Sequence, residues 1–253
     1  MRKTSRSAQA VLAANRQNAM TVAALVDEGN RLMDAQDPAA AQRVFQSAVD
    51  ILLGSRSRDD KRLAIARYNL ARAFAAQGKR ERAIAEYEAA LSLRPRFPEA
   101  QNNLGMLLID EGRFSEAAEL FRRAIQADPL LASAHYGLGV ALQNLGRNQE
   151  AAFCYQRAIT LKPDFYASWV NLGLICYAVG SPEVAVHCFN EAIGLCPGNA
   201  ELYFQLGLAF MAQERFTEAV RAFSRAVELN PDYTLAKDAL EEALYFKLAT
   251  QAG

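Results

Sequence analysis

YASWVNLGLICYAVGSPEVAVHCFNEAIGLCPGN, residues 166–199, is a unit whose skeleton returns along the whole chain. Its Pro197 stands 34 residues from Pro163 and from Pro231, and Pro129 and Pro95 continue the series. Ala185 belongs to the column Ala83, Ala117, Ala151 and Ala219, and Ala192 to the column Ala90, Ala124, Ala158 and Ala226. Phe189 keeps the same register with Tyr87, Phe121, Tyr155 and Phe223. Gly173 recurs as Gly105, Gly139 and Gly207, with Ala71 in the first place. Independent columns sharing one such period define a stack of supersecondary units rather than a single globular core.

Each unit reads as two amphipathic helices joined near a glycine such as Gly112 or Gly146, which can take a positive φ at a helix C-terminus. On the first helix, Leu70, Leu104 and Leu172 are each preceded by Asn69, Asn103 and Asn171. The apolar member, with Phe74, Leu108, Leu142 or Phe210 four residues on from its column, forms a buried stripe. Small residues at Gly105 and Ala117 allow the paired helices to approach, and Phe121 is placed to fill the space between that pair and the next. Pro129 then ends the second helix, because its ring and missing N–H do not suit a helix interior.

Trp169, Leu172, Gly173, Gly180, Ala185, Phe189, Ala192 and Pro197 together resemble the tetratricopeptide repeat pattern. In that frame, repeats run over 64–97, 98–131, 132–165, 166–199 and 200–233. A degenerate repeat fits 22–55 through Gly29, Leu32, Ala41, Phe45 and Ala48, with GSRSRDDK between it and the next. The resemblance implies an all-α fold, a right-handed superhelical solenoid of helix-turn-helix units. Residues 1–21 read as a basic tail or leading helix. Residues 234–253 read as a capping helix and tail, with Leu240 and Leu244 facing inward and Lys237, Glu241 and Glu242 outward. One hairpin cannot bury both its faces, so such units must stack and be capped.

Twenty-eight basic and 28 acidic residues in 253 give a formal net charge of zero, which argues against a nucleic-acid binder. No run of about 18 apolar residues offers a transmembrane helix. The N-terminus is basic and lacks acids before Asp27, which is faintly like an organellar transit peptide but reads more simply as a tail entering a helix. Cys154, Cys176, Cys188 and Cys196 lack CxxC spacing, so neither zinc nor a redox motif is expected and a reducing, cytoplasmic setting is. His135 takes the place of Trp169 one repeat earlier, a packing position, and His187 reads as a surface residue. Gly137-Leu138-Gly139 falls inside a helix without a preceding strand, so no dinucleotide loop is expected. No catalytic residue, metal or cofactor is expected, and the chain reads as a non-enzyme.

The family resemblance implies that first helices line a concave groove in which extended peptides lie. The residues so placed are Tyr68, Asn69 and Arg72; Asn102, Asn103 and Met106; Tyr136 and Asn144, beside Gln143; Asn171, Leu174 and Tyr177; and Phe204, Gln205 and Leu208. Asn69, Asn103, Asn171 and Gln205 share one column, interrupted by Gly137, and amides can grip a peptide backbone from both sides. That column is similar to the asparagine ladder in the repeat region of O-linked N-acetylglucosamine transferases. The lysine-rich clamp of chaperone-binding members has no counterpart in these columns. The expected function is a protein-interaction scaffold that binds a peptide or partner segment. The alternatives are a substrate-recruiting subunit of an enzyme such as a glycosyltransferase, or a self-assembling homo-oligomer. Residues 54–82 carry nine basic against three acidic residues, and 200–253 carry five against eight, so the basic part reads as a solvated face or as a steering field for an acidic partner.

Overall fold

The computed structural model describes residues 2–55 and 59–251, with side chains for 17, 19–55 and 59–250. Among these there are thirteen helices and no strand. The residues up to Pro129 form one compact unit and those from Leu130 another. The first unit holds α1 (Arg2–Asp34), α2 (Pro38–Gly54), α3 (Asp60–Ala76), α4 (Arg80–Leu93), α5 (Pro98–Asp110) and α6 (Phe114–Ala127). The second holds α7 (Ala132–Asn144), α8 (Asn148–Leu161), α9 (Tyr166–Ala178), α10 (Pro182–Leu195), α11 (Ala200–Met211), α12 (Phe216–Leu229) and α13 (Thr234–Gln251). The helices pair as α1–α2, α3–α4 and α5–α6 in one unit and as α7–α8, α9–α10 and α11–α12 in the other, an all-α repeat solenoid. First helices also meet directly, α1 with α3 and α9 with α11, so they form an inner row in each unit.

Part of the expected spacer is helical. Gly54 closes α2, while Asp60 and Lys61 already belong to α3. Asp59 caps that helix by accepting from the Arg62 N–H at 3.1 Å. Residues 56–58 of the spacer lie outside the described residues.

Every hairpin is closed by one turn geometry. At Gly112 the glycine N–H donates to Ile109 O at 2.9 Å and the Arg113 N–H to Leu108 O at 2.8 Å, which satisfies two carbonyls that the helix end would leave bare. The pattern requires a left-handed residue, and Gly78, Gly112, Gly146 and Gly180 supply φ between 70° and 77°. Gln36 and Glu214 make the same pair of bonds at φ 59° and 55° without being glycine. For a residue with a Cβ this conformation costs about 1–2 kcal/mol.

The hairpins are filled by one contact. Phe45, Phe121, Tyr155, Phe189 and Phe223 are all fully buried, and each ring lies where the Cβ of Gly29, Gly105, Gly139, Gly173 or Gly207 would project. At Gly207 an added Cβ would come within 2.4 Å of the Phe223 ring. The alanine columns pack beside these rings with no exposure, Ala117 and Ala219 among them. The stripe Leu70/Phe74, Leu104/Leu108, Leu138/Leu142 and Leu206/Phe210 is buried as expected, whereas Leu172 and Cys176 remain half-buried.

The last helix departs from the sequence expectation. Ala236 and Ala243 are buried and Leu240 packs against the core of the second unit, but Leu244 is 40% exposed. The inward seam of α13 therefore runs through Ala236, Leu240 and Ala243, spaced four and three residues apart, and Leu244 falls one position off it. Leu235, Tyr245 and Leu248 are exposed as well, so the outer face is not purely polar. Phe246 stacks on Phe216 with centroids 5.4 Å apart, which ties α13 to α12.

Two substitutions test the turn and the ring contact within the second unit, where the single tryptophan, Trp169, reports unfolding in urea. Glu214→Gly should raise stability by about 1 kcal/mol by relieving the left-handed strain. An unchanged midpoint would show that Glu214 carries none. Gly207→Ala should lower stability by about 1–3 kcal/mol through overpacking, although alanine is the better helix former by about 1 kcal/mol.

Candidate functional site

The inner row is lined by aromatic groups that recur every second repeat. In the first unit Tyr68 lies 5.9 Å from Tyr87 and 4.8 Å from Phe97, ring to ring. In the second, Tyr136 stands 5.8 Å from Tyr155 and 4.8 Å from Phe165, and Phe204 5.8 Å from Phe223 and 5.1 Å from Tyr233. Tilted pairs at these distances suit the ring quadrupoles. The intervening repeats carry Asn102 and Val170 in place of the first aromatic. This 68-residue alternation is visible in the sequence as Tyr68, Tyr136, Phe204 and Phe97, Phe165, Tyr233, but a search at 34 residues alone averages it away.

The asparagines expected to face a ligand are used within the fold. Asn69 is only 4% exposed, and its amide oxygen accepts from Arg72 Nη1 at 3.2 Å. Arg72 also reaches Asn30 on α1 at 3.4 Å and lies 5.8 Å from the Tyr68 ring centre, so α1 and α3 together close over this position. Asn102 is 8% exposed and donates to the Asn103 amide oxygen at 3.2 Å. Neighbouring packing thus covers both Asn69 and Asn102. Half-buried Asn103 donates to the hydroxyls of Tyr68 and Tyr87, each at 3.4 Å. Asn171 makes the corresponding bonds to Tyr136 and Tyr155, and Tyr155 donates onward to Gln143 at 2.7 Å. Asn144 is exposed and turns back to its own helix, donating to Val140 O at 2.9 Å. The Gln205 amide donates to Glu201 at 2.7 Å.

The apolar candidates remain partly open. Met106 is half-buried in the first unit. In the second, Leu174, Tyr177, Phe204, Leu208 and Met211 are half-buried, standing on α9 and α11 and packed from below against the Phe189 and Phe223 core. A further set of polar residues escaped the sequence reading. Gln101, almost fully buried, donates to Pro95 O at 2.7 Å, and Trp169 Nε1 donates to Pro163 O at 2.8 Å. Both residues sit six positions after a repeat-ending proline, a spacing that could have signalled a donor to its carbonyl. His135 in the same column is buried, while His187 is exposed and meets Trp169 edge-on at 5.6 Å. Cys154 and Cys188 are buried, and burial holds the Cys188 thiol up at about 12. Among the described residues, no group of His, Cys, Asp and Glu could hold a metal ion, and no helix is long and apolar enough to cross a membrane.

Hairpins stacked on a shared ring-and-glycine contact, with their ligand candidates on the first helices, define a helical repeat protein. Models described as tetratricopeptide repeat match residues 68–132, 105–164 and 136–200, and a further one matches 200–233. The chain belongs to the tetratricopeptide repeat family. No curated protein matches it in sequence. Among solved structures it is similar to YrrB, "a TPR protein with an unusual peptide-binding site", at 24% identity over 78% of this chain and 97% of that one, with a TM-score of 0.66. It is similar to the MamA protein at 26% identity, covering 68% and 93%, with a TM-score of 0.61. Its fold also matches pilF of Pseudomonas aeruginosa at 18% identity, covering 89% and 99%, with a TM-score of 0.77.

Burial pushes the Tyr87 phenol up to about 12, against a smaller opposing pull from the Asn103 amide. The folded chain therefore holds this proton more tightly than the unfolded chain, whose phenol titrates near 10. The stability from the neutral ring is complete below pH 10 and is lost as pH rises toward 12. Between pH 8 and pH 11 the loss should be about 1 kcal/mol. Urea unfolding of Tyr87→Phe, followed by circular dichroism, should show a correspondingly smaller fall over that interval.

Proposed function

We propose that the chain is a non-catalytic scaffold that binds an extended segment of another protein along the first-helix face of its hairpins. The observation that carries this reading is the strip Leu174, Tyr177, Leu208 and Met211. These four large apolar side chains, on adjoining helices of the second unit, remain half-exposed above a filled core. Contiguous apolar groups of this kind are the usual anchors of partner recognition. Tyr177 offers a hydroxyl, and Leu174, Leu208 and Met211 offer apolar surface for side chains of the partner. The likeness to YrrB, whose description names a peptide-binding site, points the same way. In this reading Asn103 and Asn171 support the face from behind, because their amides are already bonded to tyrosines. The similarity of their column to that of O-linked N-acetylglucosamine transferases therefore adds nothing to the case for a ligand.

The test is selection of a displayed library of random 12-residue peptides on the full chain. Selected peptides should bind Tyr177→Ala/Leu208→Ala at least tenfold more weakly, a loss of about 1.4 kcal/mol. Thermal unfolding should confirm that the variant is folded. Equal binding by the folded variant would reject this face as the site.

A further inference from the structure

The junction between α4 and α5 differs chemically from its counterparts. Where the frame places residues on either side of the repeat-ending proline, the other repeats read Asp128-Pro129-Leu130, Lys162-Pro163-Asp164, Cys196-Pro197-Gly198 and Asn230-Pro231-Asp232. Here the sequence is Arg94-Pro95-Arg96. The second position of the repeat is Glu99, Ser133, Ala167 and Glu201 elsewhere, but at this junction it is Ile65, whose side chain is left 37% exposed. A large aliphatic residue and two arginines thus meet at one place, whereas each of the other junctions carries at most one basic residue beside its proline.

The fold gathers these changes into an open cleft of about 660 Å³, lined by Lys61, Ile65, Leu93, Arg94, Pro95 and Arg96. Its floor is aliphatic and its rim carries three cations and no carboxylate. Leu93 also borders an adjoining cleft of about 380 Å³, where Leu52 and Leu63 extend the apolar surface. Two nearby carboxylates are already engaged. Glu86 pairs with Arg67 at 2.7 Å and Asp59 with Arg62 at 3.3 Å. Arg94 lies over the Phe97 ring at 4.4 Å, a contact that keeps its side chain in place without neutralising it. Lys61 and Arg96 are exposed, with no ion pair to either among the described residues.

We propose that this cleft docks an acidic protein segment bearing an aliphatic or aromatic anchor. The anchor would sit on Ile65 and Leu93, and flanking carboxylates would meet Lys61, Arg94 and Arg96. The site lies at the loop edge of the first unit and is built from different residues than the strip on α9 and α11. The cations cluster at one point above an apolar floor instead of running as a stripe, and the chain as a whole is neutral. These features favour an acidic polypeptide over a nucleic-acid backbone, which is tracked by extended basic surfaces. Charge complementarity of this sort acts chiefly on the association rate and on partner choice.

The experiment uses the full chain and a fluorescein-labelled peptide, Asp-Glu-Asp-Leu-Glu-Asp-Phe-Glu, in fluorescence anisotropy at low and physiological salt. The wild type should bind it, more weakly as salt rises. Lys61→Glu/Arg96→Glu should weaken binding at least tenfold, and Ile65→Ser severalfold. The double variant alters only exposed side chains, and circular dichroism should show it folded. Tyr177→Ala/Leu208→Ala should bind this peptide as the wild type does, so failure here is separable from failure of the α9/α11 strip. The proposal is overturned if the wild type does not bind the peptide, or if the folded double variant binds it equally well. It is also overturned if a labelled oligothymidine of matched charge binds at least as tightly.

Discussion

The contact between an aromatic ring on the second helix and a missing Cβ on the first governs the rest of this structure. Phe223 against Gly207 and Phe121 against Gly105 bring their helix pairs to a separation that any larger residue would prevent, while the α3–α4 pair carries Ala71 in the glycine column. Every such ring is wholly removed from water, which contributes about 1.5–3 kcal/mol per repeat. Because the ring occupies the hairpin interior, the remaining apolar stripe must find its cover on the next hairpin. That requirement turns a set of similar hairpins into a stack.

The ring also decides the fate of the inner row. Where it is a tyrosine, as at Tyr87 and Tyr155, its hydroxyl is carried toward the first helix of the following repeat and needs a partner in a poorly hydrated place. Asn103 and Asn171 meet that need. Where the ring is Phe223, the corresponding position on α13 is Ala239, which packs on the core without a polar group. Asn103 and Asn171 are therefore coupled to the hydroxyls beside them, whereas Asn69 and Gln205, which follow phenylalanines, bond to Arg72 and Glu201. The neighbouring aliphatic column, through Leu174 and Leu208, has no such duty and stays available at the surface.

How much of this was legible depended on whether a residue's role is settled within its own repeat. Gly105, Gly112 and Pro129 act inside one hairpin or at its ends, so the 34-residue columns disclosed their roles directly, whereas Phe121, expected between one pair and the next, fills its own hairpin against Gly105. Asn69 and Asn103 depend on what the adjoining repeat offers: Asn30, which accepts from the Arg72 that covers the first, and two tyrosine hydroxyls beside the second. A pattern read one repeat at a time cannot register that dependence. Leu244 was misplaced for a related reason. The capping helix has no repeat consensus to fix its rotation, and the choice between Ala243 and Leu244 as the inward residue is made by the surface of α12. Gln36 and Glu214 hold the turn although neither has the glycine that marked the other four.

The alternation of aromatic and plain repeats has a consequence for how this chain can change in length. Tyr68 with Phe97, Tyr136 with Phe165 and Phe204 with Tyr233 stand two hairpins apart in the sequence, and the first two groups are followed by Asn103 and Asn171. Deleting residues 98–131 alone would set the Tyr87 hydroxyl against Gly137. Deleting 98–165 would set it against Asn171 and keep the pairing. The pairing of hydroxyl and amide thus repeats over 68 residues, twice the unit that the backbone repeats.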